Sequence, residues 1–374
     1  MRINKVLILV LFISLQPLSA SVGQIVYNQP YSASLNFYYN SWSLDNQARG
    51  INEDFSQKTL SLSGFMPIRD NFEARYSIVT AANTLDINSR ENELAGLGDL
   101  RVQFSHSFSR DRLLLSAGLN LPTGKQELDT EEELQVVEFL SRDYLSFPVR
   151  RYGAGTGFNL LAGGATRLGD VKCGVTASYY HTGTYTPYTD FGDYNPGNSF
   201  SLGGSAGITM DRTTYSAQCS YVISGADQLD DDNIYRQAPQ FITHLSASYR
   251  ENPYVVTGGT RIILRGRNAR YSVVDGAIES QLKKYGDEID LFIQFDYTGS
   301  NNWRFGSRMA TRQISSGEEA MDRASIYNIG LDISRKLTDH YTLSMGGMYH
   351  TGSTDRDDIS VSGLQFTASV STTY

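Results

Sequence analysis

Arginine recurs at every fourth residue as Arg304, Arg308 and Arg312, in a segment that also holds Trp303, Phe305, Ser307 and Met309. Successive side chains of an extended strand point to opposite faces, so the three arginines share one face and the apolar residues take the other. Residues four apart on a strand are separated by about 13 Å, which makes the arginines a stripe along one wall. The same alternation puts Asp290 and Asp296 on the polar face of the preceding segment, Asp332 on that of the following one, and Arg261 and Arg265 on that of an earlier one. Two kinds of chemistry suit such a face. Charged rows lining a water-filled passage select among passing solutes, and opposite charges on adjacent strands pair and stiffen a wall. Residue type and spacing leave both open.

Other residues offer less. The string Tyr-His-Thr-Gly occurs twice, at Tyr180–Gly183 and Tyr349–Gly352, and Ser353 follows the second copy. A His–Ser pair at the rim of a membrane protein would suit lipid hydrolysis, but that chemistry also needs an orienting group and an oxyanion hole. Neither is present in the pattern, and tyrosine at a rim fits an interfacial aromatic girdle. Acidic clusters at Glu131–Glu133, Asp230–Asp232, Asp355 and Asp357–Asp358 lack the glycine-centred spacing of a calcium loop and read as solvated loop charge. Cys173 and Cys219 form no metal or redox motif, and alternation sets both on the apolar face of different strands, as two small apolar residues rather than a disulfide. Neither a cofactor nor a metal is expected, and the chain is read as a non-enzyme.

The elements that carry these residues are strands. Leu291, Ile293, Phe295 and Tyr297 alternate with Asp290, Gln294 and Asp296; Tyr327, Ile329, Leu331 and Ile333 alternate with Asn328, Gly330, Asp332 and Ser334. Tight polar turns near residues 68–71, 109–111, 168–170, 211–213, 251–253, 299–301 and 337–339 take turns with longer polar segments at 44–56, 83–97, 123–152, 182–198, 225–238, 266–285, 316–322 and 351–358. Short and long connections alternate in this way in outer-membrane barrels, which turn tightly on the periplasmic side and loop widely outside. These connections imply an all-β, up-and-down antiparallel transmembrane barrel of about 16 strands, with 12 or 14 as alternatives. Within 123–152, residues 134–140 are amphipathic and suit a short helix or a segment folded inward over the pore. A mean hydropathy of −0.32 does not exclude a membrane, because alternating lumen residues mask a barrel's apolar face.

The chain's start and end place it further. Arg2 and Lys5 precede an apolar run from Val6 to Leu15, then Pro17 and the small exit Leu18-Ser19-Ala20, the layout of a signal peptide over residues 1–20. Residues 21–374 then form one barrel domain in the bacterial outer membrane. Without Arg2 and Lys5 the formal net charge falls from −8 to −10, which argues against nucleic acid as a partner. Phe366, Ala368, Val370 and Tyr374 share one face of the last segment and resemble the C-terminal signal read by the outer-membrane assembly machinery, although Thr372 stands where an aromatic is favoured. The partners expected are that machinery, outer-membrane lipid and lipopolysaccharide, and a small-molecule solute.

One motif remains. Gly96-Leu97-Gly98-Asp99-Leu100 leads into one strand, and Leu119-Asn120-Leu121-Pro122-Thr123-Gly124 ends the next. From the residues alone, Gly96 and Gly98 would supply backbone angles closed to other residues, Pro122 would remove a ladder donor, and Thr123-Gly124 would turn the chain out of the sheet. The pair, spanning about thirty residues, resembles the central motif of a family of outer-membrane transporters named for the meta-cleavage pathway of phenol degradation. That family is similar to channels for long-chain fatty acids and aromatic hydrocarbons. The resemblance implies uptake of small hydrophobic or aromatic solutes. Structural or adhesion-type barrels, or a lipid-modifying enzyme, are the alternatives.

Overall fold

A computed structural model describes residues 31–374 apart from 47–48, 110–111, 190, 273–275, 300–301, 319–322 and 355–358. The segment read as a signal peptide lies outside the described residues. Strands β1(Ser32–Asn46), β2(Ile51–Arg69), β3(Phe72–Ile87), β4(Arg90–Leu97), β5(Leu100–Phe108), β6(Leu113–Leu121), β7(Gly157–Leu168) and β8(Val171–Thr182) follow one another antiparallel, except that β5 continues β4 in the same direction. The sheet continues through β10(Ser199–Met210), β11(Thr213–Ser224), β14(Gln240–Glu251), β15(Tyr254–Arg265), β18(Glu288–Thr298), β19(Trp303–Ile314), β20(Ala324–Lys336), β21(Tyr341–Thr354) and β22(Ile359–Thr373). The last strand returns to the first, Ser32 opposite Thr373 and Asp45 opposite Ser360, which closes a barrel. Both β4 and β5 pair with β3, end to end, so 17 named strands make 16 staves. Twelve- and fourteen-strand alternatives are thereby excluded.

Alternation decides which side chain goes where. Leu291, Ile293, Phe295, Phe305, Met309, Ile329 and Leu331 all lie exposed on the outer surface. Tyr215, Tyr249, Tyr254 and Tyr341 ring the turn end, and Phe241, Tyr327 and Tyr349 lie toward the loop end. An aliphatic band between two aromatic girdles is the surface a bilayer covers. No helix among the described residues is long and apolar enough to cross a membrane. Cys173 and Cys219 are free; β10 runs between their strands, setting Ala206 beside Cys173 and Gly204 beside Cys219.

The expected loop lengths need correction at two places. Residues 44–56 and 83–97 are mostly strand, tall hairpins whose paired edges continue beyond the band. Asn88 and Ser89 close the second with φ of 51° and 69°, the two left-handed residues of a type I′ turn. Polar composition there belongs mainly to the outer face, where Asn52, Asp54, Glu91 and Glu93 are exposed, while Leu44, Phe55, Leu85 and Leu94 on the inner face are buried; it does not mark an absence of pairing. Three further long loops fold into a second, five-stranded sheet above the barrel, made of β9(Tyr194–Asn195), β12(Ala226–Leu229), β13(Asp232–Arg236), β16(Asn268–Tyr271) and β17(Ile278–Leu282).

The loop between β6 and β7 turns inward. Its helix α1(Glu131–Leu140) begins at Thr130, whose hydroxyl accepts from the Glu133 amide, and three glutamates in its first turn complement the helix dipole. Val136, Phe139 and Leu140 are wholly buried against the lumen-facing side chains of Trp42, Leu44, Phe55, Leu85 and Leu94. Phe55 stacks on Phe139 with ring centroids 4.7 Å apart, and Phe147 meets the same ring at 4.7 Å. Burying such a side chain is worth about 1.5–3 kcal/mol, so this packing, not helix propensity, holds the loop in the barrel.

Candidate functional site

The lumen divides into an occupied wall and a polar wall. On the occupied wall the inward loop is pinned at several points. Arg142 forks onto Glu53 of β2 through contacts of 2.5 and 2.9 Å. The Gln57 amide donates to the Val149 carbonyl at 2.7 Å and accepts from its N–H at 3.3 Å, replacing the strand partner that Val149 lacks. Arg312 donates to the Ser146 hydroxyl at 2.5 Å and to the Asp143 carbonyl at 3.3 Å. On the polar wall hydroxyls pair across strands: Ser105 with Ser116, Ser178 with Ser201, Ser216 with Ser246, and Ser248 with Thr257. These positions share the inward parity of the lumen, and most remain partly open to it.

The glycine-rich motif forms the root of the inward loop. The buried Asp99 carboxylate, at the junction of β4 and β5, accepts from the Asn120 amide at 2.7 Å, the Ala154 N–H at 2.8 Å and the Gly124 N–H at 3.0 Å. The Thr123 hydroxyl accepts from the Leu100 N–H at 2.9 Å and donates to the Gly98 carbonyl at 3.2 Å. One carboxylate thus ties the residue where the chain leaves the wall to the residue where it returns. The expected reason for the glycines is corrected: neither Gly96, Gly98 nor Gly124 has a positive φ. A Cβ would instead collide, at Gly96 with the Tyr152 ring (2.9 Å), at Gly98 with Val79 (2.8 Å) and at Gly124 with the Tyr152 carbonyl (2.4 Å). Close approach of backbone, not backbone angle, excludes a side chain. Pro122 stands at the exit from β6, followed by a Thr123 N–H that donates to the Leu121 carbonyl at 2.8 Å.

All eight charged candidates of the lumen have the inward parity expected of them. Arg261 contacts Glu288 at 3.1 Å and Asp290 at 3.4 Å; Arg265 contacts Glu288 at 2.9 Å; Arg312 contacts Asp290 at 2.9 Å and Glu288 at 3.4 Å. Nearer the turn end, Arg304 meets Asp296 at 2.7 Å. Arg308 and Asp332 make no ion pair among the described residues. Glu288, the hub of the cluster, is missing from the sequence-based set although Glu288 and Asp290 have the same parity; extending the alternation one step back from Asp290 finds it. Phe366, Val370 and Tyr374 are exposed on the outer surface, and the Tyr374 hydroxyl lies 2.6 Å from that of Tyr341.

The two Tyr-His-Thr-Gly strings are not equivalent. His350 faces the lumen, 2.5 Å from the Asn328 side chain and packed on Trp42, whereas His181 faces outward, 2.6 Å from the Asn198 side chain. Ser353 has the outward parity, opposite to His350, so these two do not form a hydrolytic pair.

Above the barrel, Asp227 of the second sheet is buried, accepting from the Tyr194 hydroxyl at 2.8 Å and the Gly197 N–H at 2.7 Å. Burial pushes its carboxyl up to about 6, against the opposing pull of these two donors and Arg151. Arg151, from the inward loop, lies over the Tyr185 ring at 5.8 Å and so connects that loop to the cap.

No protein-family model and no curated protein matches the sequence. Among solved structures, the fold is similar to that of a deletion mutant of the monoaromatic hydrocarbon channel TodX, at 10% identity and a TM-score of 0.51 over 92% of this chain and 91% of that one. Similarity also extends to OpdL of Pseudomonas aeruginosa (11% identity, 92% of this chain and 98% of that one, TM-score 0.48) and to the monoaromatic hydrocarbon channel CymD (11%, 92% and 89%, 0.45). At such identities the likeness is one of fold.

Proposed function

We infer that the chain is an outer-membrane channel for small solutes, with the inward loop as the restriction they pass. One observation carries the reading: the loop enters the lumen but is fastened to one wall, facing a wall of paired hydroxyls. A barrel that served only as a scaffold needs no such division. The banded outer surface supports outer-membrane lipid and lipopolysaccharide as its surroundings, delivery by a signal peptide, and assembly by the barrel-insertion machinery through the aromatic end of β22. The resemblance of the Gly96–Gly124 motif to the phenol-pathway transporters supports aromatic or hydrophobic solutes. The hydroxyl-rich wall narrows this to molecules with a polar group, since a bare hydrocarbon has no continuous apolar path there.

A sealed, structural barrel is the second reading, favoured by the apolar packing of α1 and the ion pairs around Glu288. Conductance of the refolded chain in planar bilayers separates the two. A channel with a pinned restriction should conduct weakly, and Arg142→Ala with Gln57→Ala should raise conductance by releasing the loop. Absence of conductance in the wild type and in the Arg142→Ala, Gln57→Ala variant, with conductance appearing only after excision of residues 131–147, supports the sealed barrel.

A further inference from the structure

The lumen wall formed by β18, β19 and β20 spends nearly all of its charge internally, in the ion pairs described above. Arg308 and Asp332 are the exceptions. The register sets Arg308 opposite Gly330 and Asp332 opposite Gly306, so the two charges are diagonal neighbours and each faces a residue without a side chain. The Asp332 carboxylate lies across Gly306, where an added Cβ would stand 2.1 Å from its Oδ1. The Arg308 guanidinium turns the other way, over the Phe292 ring at 5.2 Å. Gln294, its partner on β18, directs its amide to the Asp296 carboxylate at 3.0 and 3.2 Å. A cation and an anion are therefore held on one wall, both exposed and neither in an ion pair among the described residues. They stand below the point where Arg312 grips the inward loop. Phe292 and Met348 add an aromatic face and a thioether, the latter within 3.1 Å of a Cβ added to Gly330.

This arrangement selects by exclusion as well as attraction. A simple carboxylate drawn to Arg308 meets repulsion from Asp332, and a simple amine drawn to Asp332 meets repulsion from Arg308. A small zwitterion satisfies both: its carboxylate takes the planar fork of the guanidinium, its ammonium takes the aspartate, and an apolar substituent packs on Phe292 or Met348. We propose that Arg308 and Asp332 form a binding subsite for α-amino acids with aromatic or aliphatic side chains. The proposal rests on the solute-channel reading for its role in transport, while binding itself does not depend on conductance.

Calorimetry of the full chain, refolded in detergent, tests it with three probes of one skeleton: L-phenylalanine, 3-phenylpropanoate and phenethylamine. L-Phenylalanine should bind the wild type, and each singly charged analogue about tenfold or more weakly, the loss expected for one charged hydrogen-bonding group. Arg308→Gln should weaken L-phenylalanine by a similar factor. Asp332→Asn should weaken L-phenylalanine yet tighten 3-phenylpropanoate, a crossover that a merely structural role does not produce. Heat-modifiable migration verifies folding of each variant, and the three-probe comparison on the wild type stands without them. Equal binding of 3-phenylpropanoate and L-phenylalanine, L-phenylalanine binding unaffected by either substitution, or binding of none of the probes overturns the subsite. Amino-acid binding by a chain that never conducts instead overturns the channel reading and leaves the subsite standing.

Discussion

Asp99 shows how much one side chain can organise. Its carboxylate accepts three donors, from Asn120, Gly124 and Ala154, so replacing it strands buried polar groups on both legs of the inward loop. An unsatisfied buried donor costs about 1–3 kcal/mol, and three share this acceptor. Asp99→Ala is expected to free the loop while the barrel persists: limited proteolysis should cut within 122–156, with the heat-modifiable band retained. Unchanged resistance to protease would mean that apolar packing alone holds the loop. The sequence marked this place as a glycine motif but attributed it to special backbone angles. Steric exclusion could not be read there, because the colliding partners, Tyr152 and Val79, are distant in the chain. The parity of Arg304, Arg308 and Arg312 was legible because it depends only on local alternation. Which of them would be neutralised was not, since that depends on register between strands and on a loop more than 160 residues away, whose Ser146 and Asp143 meet Arg312.

At the scale of elements, the barrel staves follow from alternation and from turn residues, and the sequence locates them well. The five-stranded cap was not legible. Its strands are two to five residues long and draw on three separate loops, too short for a period-two pattern to show. Within it, Asp227 supplies a pH dependence. Its folded value of about 6 lies above the ordinary carboxylate value near 4, so folding of the cap favours the protonated form. The contribution of this group is therefore fully present below about pH 4 and is lost as pH rises through about 6. Tyr194 and Tyr185 pack beside it, both held protonated by burial, leaving Arg151 as the nearby positive charge. Amide exchange in β12 and β13 should be slower at pH 4.5 than at pH 7.5, after correction for intrinsic rates, and Asp227→Asn should flatten the difference. Faster protection loss on acidification would reverse the assignment and make the carboxylate an ionised anchor.

For the molecule as a whole, the decisive property is that one wall separates two solvents. Ile293 and Gln294 are adjacent in β18 and point in opposite directions: Ile293 is 53% exposed on the outer band, and Gln294 points inward between Phe292 and Asp296. Arginine at mid-membrane on the lipid face costs about 2–4 kcal/mol, whereas at position 294 it enters an aqueous lumen within reach of the Asp296 carboxylate, which offsets the like charge of Arg308 opposite it. A soluble barrel of the same shape would show the opposite ranking, because its outer face would be wet and its interior packed. Ile293→Arg should therefore reduce the folded, membrane-integrated fraction, whereas Gln294→Arg should assemble close to the wild-type level, both scored by heat-modifiable migration after refolding into lipid vesicles. Refolding in detergent, which screens the outer face less severely, should narrow the gap between them. Equal yields in vesicles would show that the outer band is not buried in lipid. A defect in Gln294→Arg alone would show that the lumen, not the outer band, is the dry side of the wall.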